Sequence, residues 1–132
     1  MPPRRRTDPE TGRRALTAWL ADPSAVDRVM LAVAVRWSLE EFAARNPGGT
    51  TEVRVPPFGV VQCIAGPRHT RGTPPNVVET DAATWLGLVT ARLTWRQARD
   101  GGTLRASGER ADLSGVLPLT GVPSFPDGGA AG

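Results

Sequence analysis

The segment that decides the fold spans residues 75–119 and reads PNVVETDAATWLGLVTARLTWRQARDGGTLRASGERADLSGVLPL. It begins with a β-branched run, Val77–Thr80, which is typical of a short strand. Asp81 then stands at the N-cap position of a helix over about 82–92, and Thr94 caps a further short helical turn. This half of the segment therefore predicts a strand that leads directly into two short helices.

The second half of the segment predicts another strand and a final helix. Residues 103–107 (TLRAS) follow a glycine pair that ends the preceding helical turn, so we expect a strand there. Residues 109–117 carry Leu113 and Leu117 at helical spacing, and Pro118 follows them. We expect a last helix that ends at this proline, because proline cannot continue it.

The residues before this segment predict a β-hairpin. Residues 51–55 (TEVRV) alternate between apolar and polar side chains, as a half-buried strand does. Residues 56–59 (PPFG) are typical of a turn, and residues 60–65 (VVQCIA) predict a second strand. Together with residues 77–80 and 103–107, they predict an α+β fold with one mostly antiparallel sheet of four to five strands, covered on one face by helices.

Two helices are predicted before the hairpin. Asp8 followed by proline predicts a helix over residues 9–21, and Ser24 with Asp27 resembles a capping box that opens a helix over 25–45. The second helix carries two opposite apolar sets, which are Val26, Val29, Met30, Val33 and Trp37, and Leu31, Val35, Leu39 and Phe42. One sheet cannot bury both sets, so we expect helix 9–21 or a second chain to cover one of them.

Length and composition indicate a single domain between two tails. The chain has 132 residues. Residues 1–7 are rich in Pro and Arg and predict a flexible basic tail, whereas residues 118–132 are rich in Pro and Gly and predict a disordered one. The domain is expected over residues 8–117. A single cysteine excludes an internal disulfide and is typical of the cytoplasm, where we expect the protein.

Neither a membrane span nor a nucleic-acid partner is expected. No apolar run reaches the roughly 18 residues that a membrane-spanning helix needs. All sixteen basic residues are arginines, but the net charge is only +3. The arginines are not gathered on one face with aromatic residues between them, an arrangement that would be a stronger sign of nucleic-acid binding.

The sequence contains no catalytic or metal-binding constellation, so we expect no enzymatic activity, no metal and no cofactor. Cys63 and His69 are the only candidates for a thiol–imidazole pair, and Cys63 lies in an apolar run that favours a core position. A zinc site needs three or four ligands, and that set is absent. Glu79 and Asp81 could share a proton or a cation, but a helix cap already accounts for Asp81.

The loop after the second strand carries the most distinctive polar residues. Arg68, His69 and Arg71 lie between Gly66 and Gly72. Guanidinium groups beside free backbone N–H groups can hold a phosphate or carboxylate head group. The glycine spacing differs from that of the dinucleotide fingerprint and of the P-loop. A solvated loop stiffened by prolines is the alternative, and the sequence leaves both open.

Residues 75–119 resemble the C-terminal half of the sterol carrier protein type 2 family, the non-specific lipid-transfer proteins. The resemblance rests on the acidic cap at Asp81, the hydrophobic helix that follows, and the Gly-x-Leu-x-x-x-Gly strand over residues 102–108. The upstream stretches RVPPFGVVQC and GPRHTRGTPPNVVE look like a bacterial stand-alone offshoot of the family. The same type of domain forms the C-terminal part of mycothiol-dependent maleylpyruvate isomerase-like proteins. The chain departs from the family at Ala91, where a glycine is common.

This resemblance implies non-enzymatic binding or carriage of an apolar ligand, such as a lipid, a sterol-like molecule or an acyl chain, between the helices and the sheet. The residues implied at the cavity are Trp85, Leu88, Val89, Leu104, Leu113 and Leu117. Trp85 is the foremost candidate, because it lies on the helix that closes the cavity in the family. Arg68, His69 and Arg71 are expected at the cavity mouth.

The alternative function is a protein-interaction or dimerisation module on the same fold. In that case helix 25–45 would form a homodimer or bind a partner. The two functions differ in what they need from the structure: carriage requires an apolar cavity, whereas interaction requires a filled core and an exposed apolar patch.

Overall fold

The structure is a computed structural model that describes residues 7–66 and 76–126. Its elements in chain order are α1 (Pro9–Ala21), a 3₁₀ turn (Pro23–Ala25), α2 (Arg28–Arg45), β1 (Thr51–Val55), β2 (Gly59–Cys63), β3 (Val77–Thr80), α3 (Ala82–Val89), α4 (Trp95–Asp100) and β4 (Leu104–Ser107). The predicted α+β class is confirmed.

In the described residues, four strands form one sheet in the order β2-β1-β3-β4. The pairs β1–β2 and β3–β4 are antiparallel, and β1 and β3 are parallel. The mostly antiparallel sheet is therefore confirmed. Val53, Val55 and Val78 point into the core, whereas Arg54 and Glu79 lie half-buried on the opposite, open face. The strands alternate because successive side chains point to opposite faces.

Side-chain caps define the helix starts. Asp8 and Asp81 accept hydrogen bonds from the backbone at the start of α1 and α3, and Thr94 forms a capping box with Gln97 at α4, so the predicted starts hold. The start of α2 was predicted three residues too early. Residues 23–25 form the separate 3₁₀ turn, and Asp27 accepts a 2.8 Å hydrogen bond from the Met30 amide, which fixes the start of α2 at Arg28.

Helix α2 lies between α1 and the sheet, as the predicted cover by helix 9–21 requires. The prediction that both apolar sets of this helix are buried is partly wrong. Trp37 and Val35 are buried, but Val29 is 75% exposed and Met30 is 41% exposed. Val29 lies on the same helical stripe as the exposed Arg36, seven residues later, and α1 leaves this stripe uncovered.

The predicted last helix over residues 109–117 is not formed. The Asp112 carboxylate accepts a hydrogen bond from the Ser114 amide at 2.9 Å, and the Val116 amide donates to the Leu113 carbonyl at 3.0 Å. Such local bonds compete with helix formation. Leu113 is buried all the same, because the turn directs it into the core.

Within the segment predicted as a disordered tail, residues 118–132, the structure describes residues 118–126, and these are packed against the domain. The Leu119 amide donates to the Val89 carbonyl at 3.1 Å, and the Phe125 amide donates to the Thr90 carbonyl at 2.7 Å. These bonds tie the segment to the end of α3, and Leu119 is buried. Residues 127–132, and residues 1–6 of the expected basic tail, lie outside the described residues.

Candidate functional site

The structure brings the six expected cavity residues together. Trp85, Leu88 and Val89 lie on α3, Leu104 begins β4, and Leu113 lies in the turn that follows. All five belong to one hydrophobic cluster, and Leu117 packs against it. Residues far apart in sequence therefore share one core, in which α3 packs against α2 and α4.

The end of α3 fixes the orientation of this cluster. The helix was predicted to run to residue 92 but ends at Val89, and the Thr90 hydroxyl donates to the Leu86 carbonyl at 2.7 Å. Ala91 then adopts a left-handed backbone with φ of 67°. Glycine is the usual residue for such a helix end. The position where the family commonly has glycine is therefore one where the backbone favours it.

The cluster around Trp85 is filled in this conformation. Its indole N–H donates to the Ser38 hydroxyl at 2.9 Å, and its ring meets Phe42 edge-on with centroids 5.5 Å apart. The exposed fractions of Trp85 and Val89 are both 0%. A void that held even one water would leave accessible area on its lining, so an apolar ligand must displace protein atoms to contact Trp85.

The expected head-group residues Arg68, His69 and Arg71 lie outside the described residues. The two ends of their loop are described. Asn76 donates to the Thr50 carbonyl at 3.0 Å and accepts from the Arg110 amide at 2.9 Å. A Cβ built on Gly66 would lie 3.2 Å from Nη1 of Arg110. Sequence reasoning missed Arg110 at the base of this loop, because no local pattern connects it to residues forty positions earlier.

The single cysteine does not provide a nucleophile in this conformation. Cys63 is fully buried, which confirms its predicted core position, and its Sγ lies 3.5 Å from the Thr51 carbonyl oxygen. Burial raises the pKa of the thiol to about 12, because a thiolate would lose its hydration. Its expected imidazole partner, His69, is outside the described residues.

The paired carboxylates at the end of β3 have separate roles. Asp81 caps α3, accepting a 2.7 Å hydrogen bond from the Thr84 amide. Glu79 forms ion pairs with Arg105 at 3.4 Å and with Arg54 at 4.0 Å across the open sheet face. Within the described part of the chain, no group of three or more His, Cys, Asp or Glu side chains is placed to hold a metal ion.

Two of the depressions on the described surface are open to solvent. One of about 690 Å³ follows β4 and is lined by Val77, Glu79, Arg99, Leu104, Arg105, Ala106 and Ser107. Another of about 310 Å³ lies between α2 and the turn from β1 to β2. Leu104 is the one expected cavity residue on the first, and the second is lined by none. Of the helices in residues 7–66 and 76–126, none is long and apolar enough to cross a membrane.

Comparison with known proteins gives one family. A family model described as bacterial SCP ortholog matches residues 27–119, which is more than half of the chain. The match begins at the cap of α2 and ends at the buried Leu119, so it contains every strand described above. No curated protein matches the chain.

Proposed function

The chain belongs to the bacterial SCP orthologs, a sterol-carrier-like family, and from this premise we propose that it binds and carries an apolar ligand in the cytoplasm. The ligand class is a lipid, a sterol-like molecule or an acyl chain. The observation that supports the proposal is that five of the six expected cavity residues belong to one hydrophobic core, against which the sixth, Leu117, packs. Every residue from Thr84 to Val89 is buried, so this helix already has apolar surroundings on all sides.

Because the cluster is filled, the proposed binding includes a movement. The segment after β4 is the part we expect to move, because Leu113 and Leu117 flank a turn over residues 114–116 and lie outside the helices and strands. An acyl chain would then replace these side chains against Trp85 and Val89. Arg68, His69 and Arg71, with Arg110 at the loop base, would hold the polar head group.

The experiment is a thermal-shift and tryptophan-fluorescence titration with long-chain fatty acids, acyl esters and sterols. A ligand that binds only the folded state raises the melting temperature by mass action. Trp85→Phe should remove most of the fluorescence response, whereas Trp19→Phe, on α1, should keep it. If no member of the panel shifts the melting temperature, the chain does not carry ligands of this class.

A second candidate function is a protein-interaction or dimerisation module. The filled core around Trp85, together with Val29 at 75% exposure and Met30 at 41% on α2, supports it. A homodimer through α2 would appear as concentration-dependent mass in sedimentation equilibrium. Val29→Ser should lower that association, and a mass that stays monomeric at all concentrations would exclude the homodimer.

A further inference from the structure

An uncovered apolar groove runs along the first half of α2. We call it the α2 groove, and its lining residues are Arg28, Val29, Ala32, Val33, Arg36, Pro57 and Phe58. Its volume is about 310 Å³. Val29 is 75% exposed, and no described element covers it. The groove is therefore a concave apolar strip open to solvent, separate from the cluster around α3.

Two arginines without carboxylate partners border this groove. Arg28 places its guanidinium 5.6 Å from the centroid of the Phe58 ring, and Nε of Arg36 donates to the Phe58 carbonyl at 3.2 Å. Among the described residues, neither has a carboxylate oxygen within 4.0 Å. The nearby Asp27 carboxylate is engaged in capping α2. The aromatic ring and the carbonyl hold the arginines in place, and neither guanidinium group forms an ion pair with a described carboxylate.

The arginines on the open sheet face provide the contrast. Arg54 and Arg105 both form ion pairs with Glu79. Both sheet arginines, the half-buried Arg54 and the exposed Arg105, are therefore paired within the chain, whereas the two beside the α2 groove remain available to an external anion. Positive potential beside an apolar surface is complementary to an acidic, partly apolar partner.

We propose that the α2 groove docks a segment of a partner protein that presents an apolar side chain between two carboxylates. Arg28 and Arg36 are eight residues apart, which is about 12 Å along a helix. An extended segment spans that distance with about four residues. The inference is independent of ligand carriage, and it rests on the second candidate function, for which it names the surface and the partner chemistry.

A second copy of the chain fits this groove poorly. A two-fold contact through the α2 groove would bring Arg28 and Arg36 of both copies together, and like charges across an interface are unfavourable. A bilayer surface is flat, whereas the groove is a concavity between a helix and a turn. A protruding peptide side chain fills such a concavity, so the geometry favours a protein segment.

The test begins with a selection of short random peptides displayed on phage against the full-length chain. The selected peptides are expected to carry two acidic residues on either side of an apolar one. A selected peptide labelled with fluorescein is then titrated by anisotropy. Arg28→Glu combined with Arg36→Glu should weaken binding by about tenfold or more, and Val29→Ser should weaken it several-fold.

The matched control is Arg14→Glu combined with Arg96→Glu. This pair makes the same change in net charge at two exposed arginines of α1 and α4, whose side chains are 79% and 91% exposed. It should change the affinity by about twofold or less. The substituted groove residues are also exposed, so circular dichroism should show the same fold for all variants.

Each other outcome overturns the inference. Selected peptides without acidic residues, a selection that yields no binder, or binding that the groove variants leave unchanged would exclude the α2 groove as an acidic docking site. Binding of phosphatidylserine vesicles that is lost in the arginine variants, without peptide binding, would assign the groove to membranes. Self-association that Val29→Ser abolishes, without peptide binding, would refute this inference and leave the interaction function standing.

Discussion

Gly12 of α1 lies directly against the indole of Trp37 on α2, so close that a Cβ at position 12 would stand 2.1 Å from Cγ of the ring. The absence of a side chain at Gly12 lets α1 approach α2 and bury Trp37 to 1% exposure. Arg13 lies over the same ring, 5.4 Å from its centroid. The contact explains how a helix with few large apolar residues covers one side of α2.

Gly12→Ala should therefore destabilise the protein. Helix propensity alone favours alanine by about 1 kcal/mol, but overpacking against the buried Trp37 costs about 1–3 kcal/mol or more. We expect a net loss of stability in urea unfolding. Gly115→Ala is the control, because a Cβ there meets nothing within 4 Å. Gly12→Ala as stable as the wild type would mean that α1 does not pack on Trp37 in this way.

A charged residue introduced on α2 should destabilise the protein on the covered side of the helix and not on the uncovered side. Val35 is fully buried, so Val35→Asp should cost several kcal/mol, as an unpaired buried charge does. Val29 is 75% exposed, so Val29→Asp should change stability by about 0.5 kcal/mol or less. Thermal melts of the two variants measure the difference. A large loss in Val29→Asp would show that a second chain covers this stripe in solution.

Local signals predicted most of the elements. Asp8, Asp81 and Thr94 each satisfy backbone amides within their own helix, so the sequence nearby is sufficient to place them. The prediction of the last helix was wrong because of another local interaction: the Asp112 carboxylate accepts a hydrogen bond from the Ser114 amide, which competes with helix formation. The parallel pairing of β1 with β3 was not predictable, because it depends on contacts across more than twenty residues.

The candidate site was predicted only in part. The resemblance to a family implied a set of cavity residues, and these residues do belong to one hydrophobic core or pack against it. Whether a cluster is filled depends on side chains from other elements, here Ser38 and Phe42 of α2, and no local pattern contains them. The exposure of Val29 could have been predicted from the sequence, because Arg36 lies on the same side of the helix and a charged residue there indicates a solvent-facing stripe.

The hydrogen bond between Trp85 and Ser38 gives a direct test of the filled cluster. Ser38→Ala removes the acceptor of the buried indole N–H, and leaving such a donor unsatisfied costs about 1–3 kcal/mol. The same substitution in a Trp85→Phe background should cost less, because phenylalanine has no N–H to satisfy. Urea unfolding of the wild type, the two single variants and the double variant gives the coupling energy between the two residues. Equal costs in both backgrounds would show that this hydrogen bond is not formed.

Ala91→Gly should stabilise the protein. Ala91 has a φ of 67°, and a left-handed backbone costs an alanine about 1–2 kcal/mol, part of which the greater unfolded-state freedom of glycine offsets. We expect a gain of about 0.5–1 kcal/mol in thermal unfolding. Ala18→Gly, the same substitution inside α1, should instead lose about 1 kcal/mol. The two variants test the backbone conformation because the chemical change is identical; a loss at both positions would rule out a left-handed Ala91.

Cys63 should make the protein less stable at alkaline pH. Burial raises the pKa of its thiol from an ordinary value of 9.0 to about 12. Below pH 9, both the folded and the unfolded chain keep the thiol proton, so stability does not depend on this group. Between pH 9 and pH 12 the unfolded chain releases the proton and the folded chain retains it. The free energy of unfolding should therefore fall by about 1.4 kcal/mol per pH unit as the pH rises through this window.

The composition isolates this effect, because the sequence has no tyrosine and no lysine, and its arginines titrate above the window. Urea unfolding of the wild type at intervals from pH 8 to pH 11 should show the decline above pH 9. Cys63→Ala lowers stability at every pH, because it leaves a small cavity, but its stability should be flat across the same range. A wild-type stability that is flat there would show that the folded state does not raise the pKa of the thiol, and a decline that persists in Cys63→Ala would show that another group causes it.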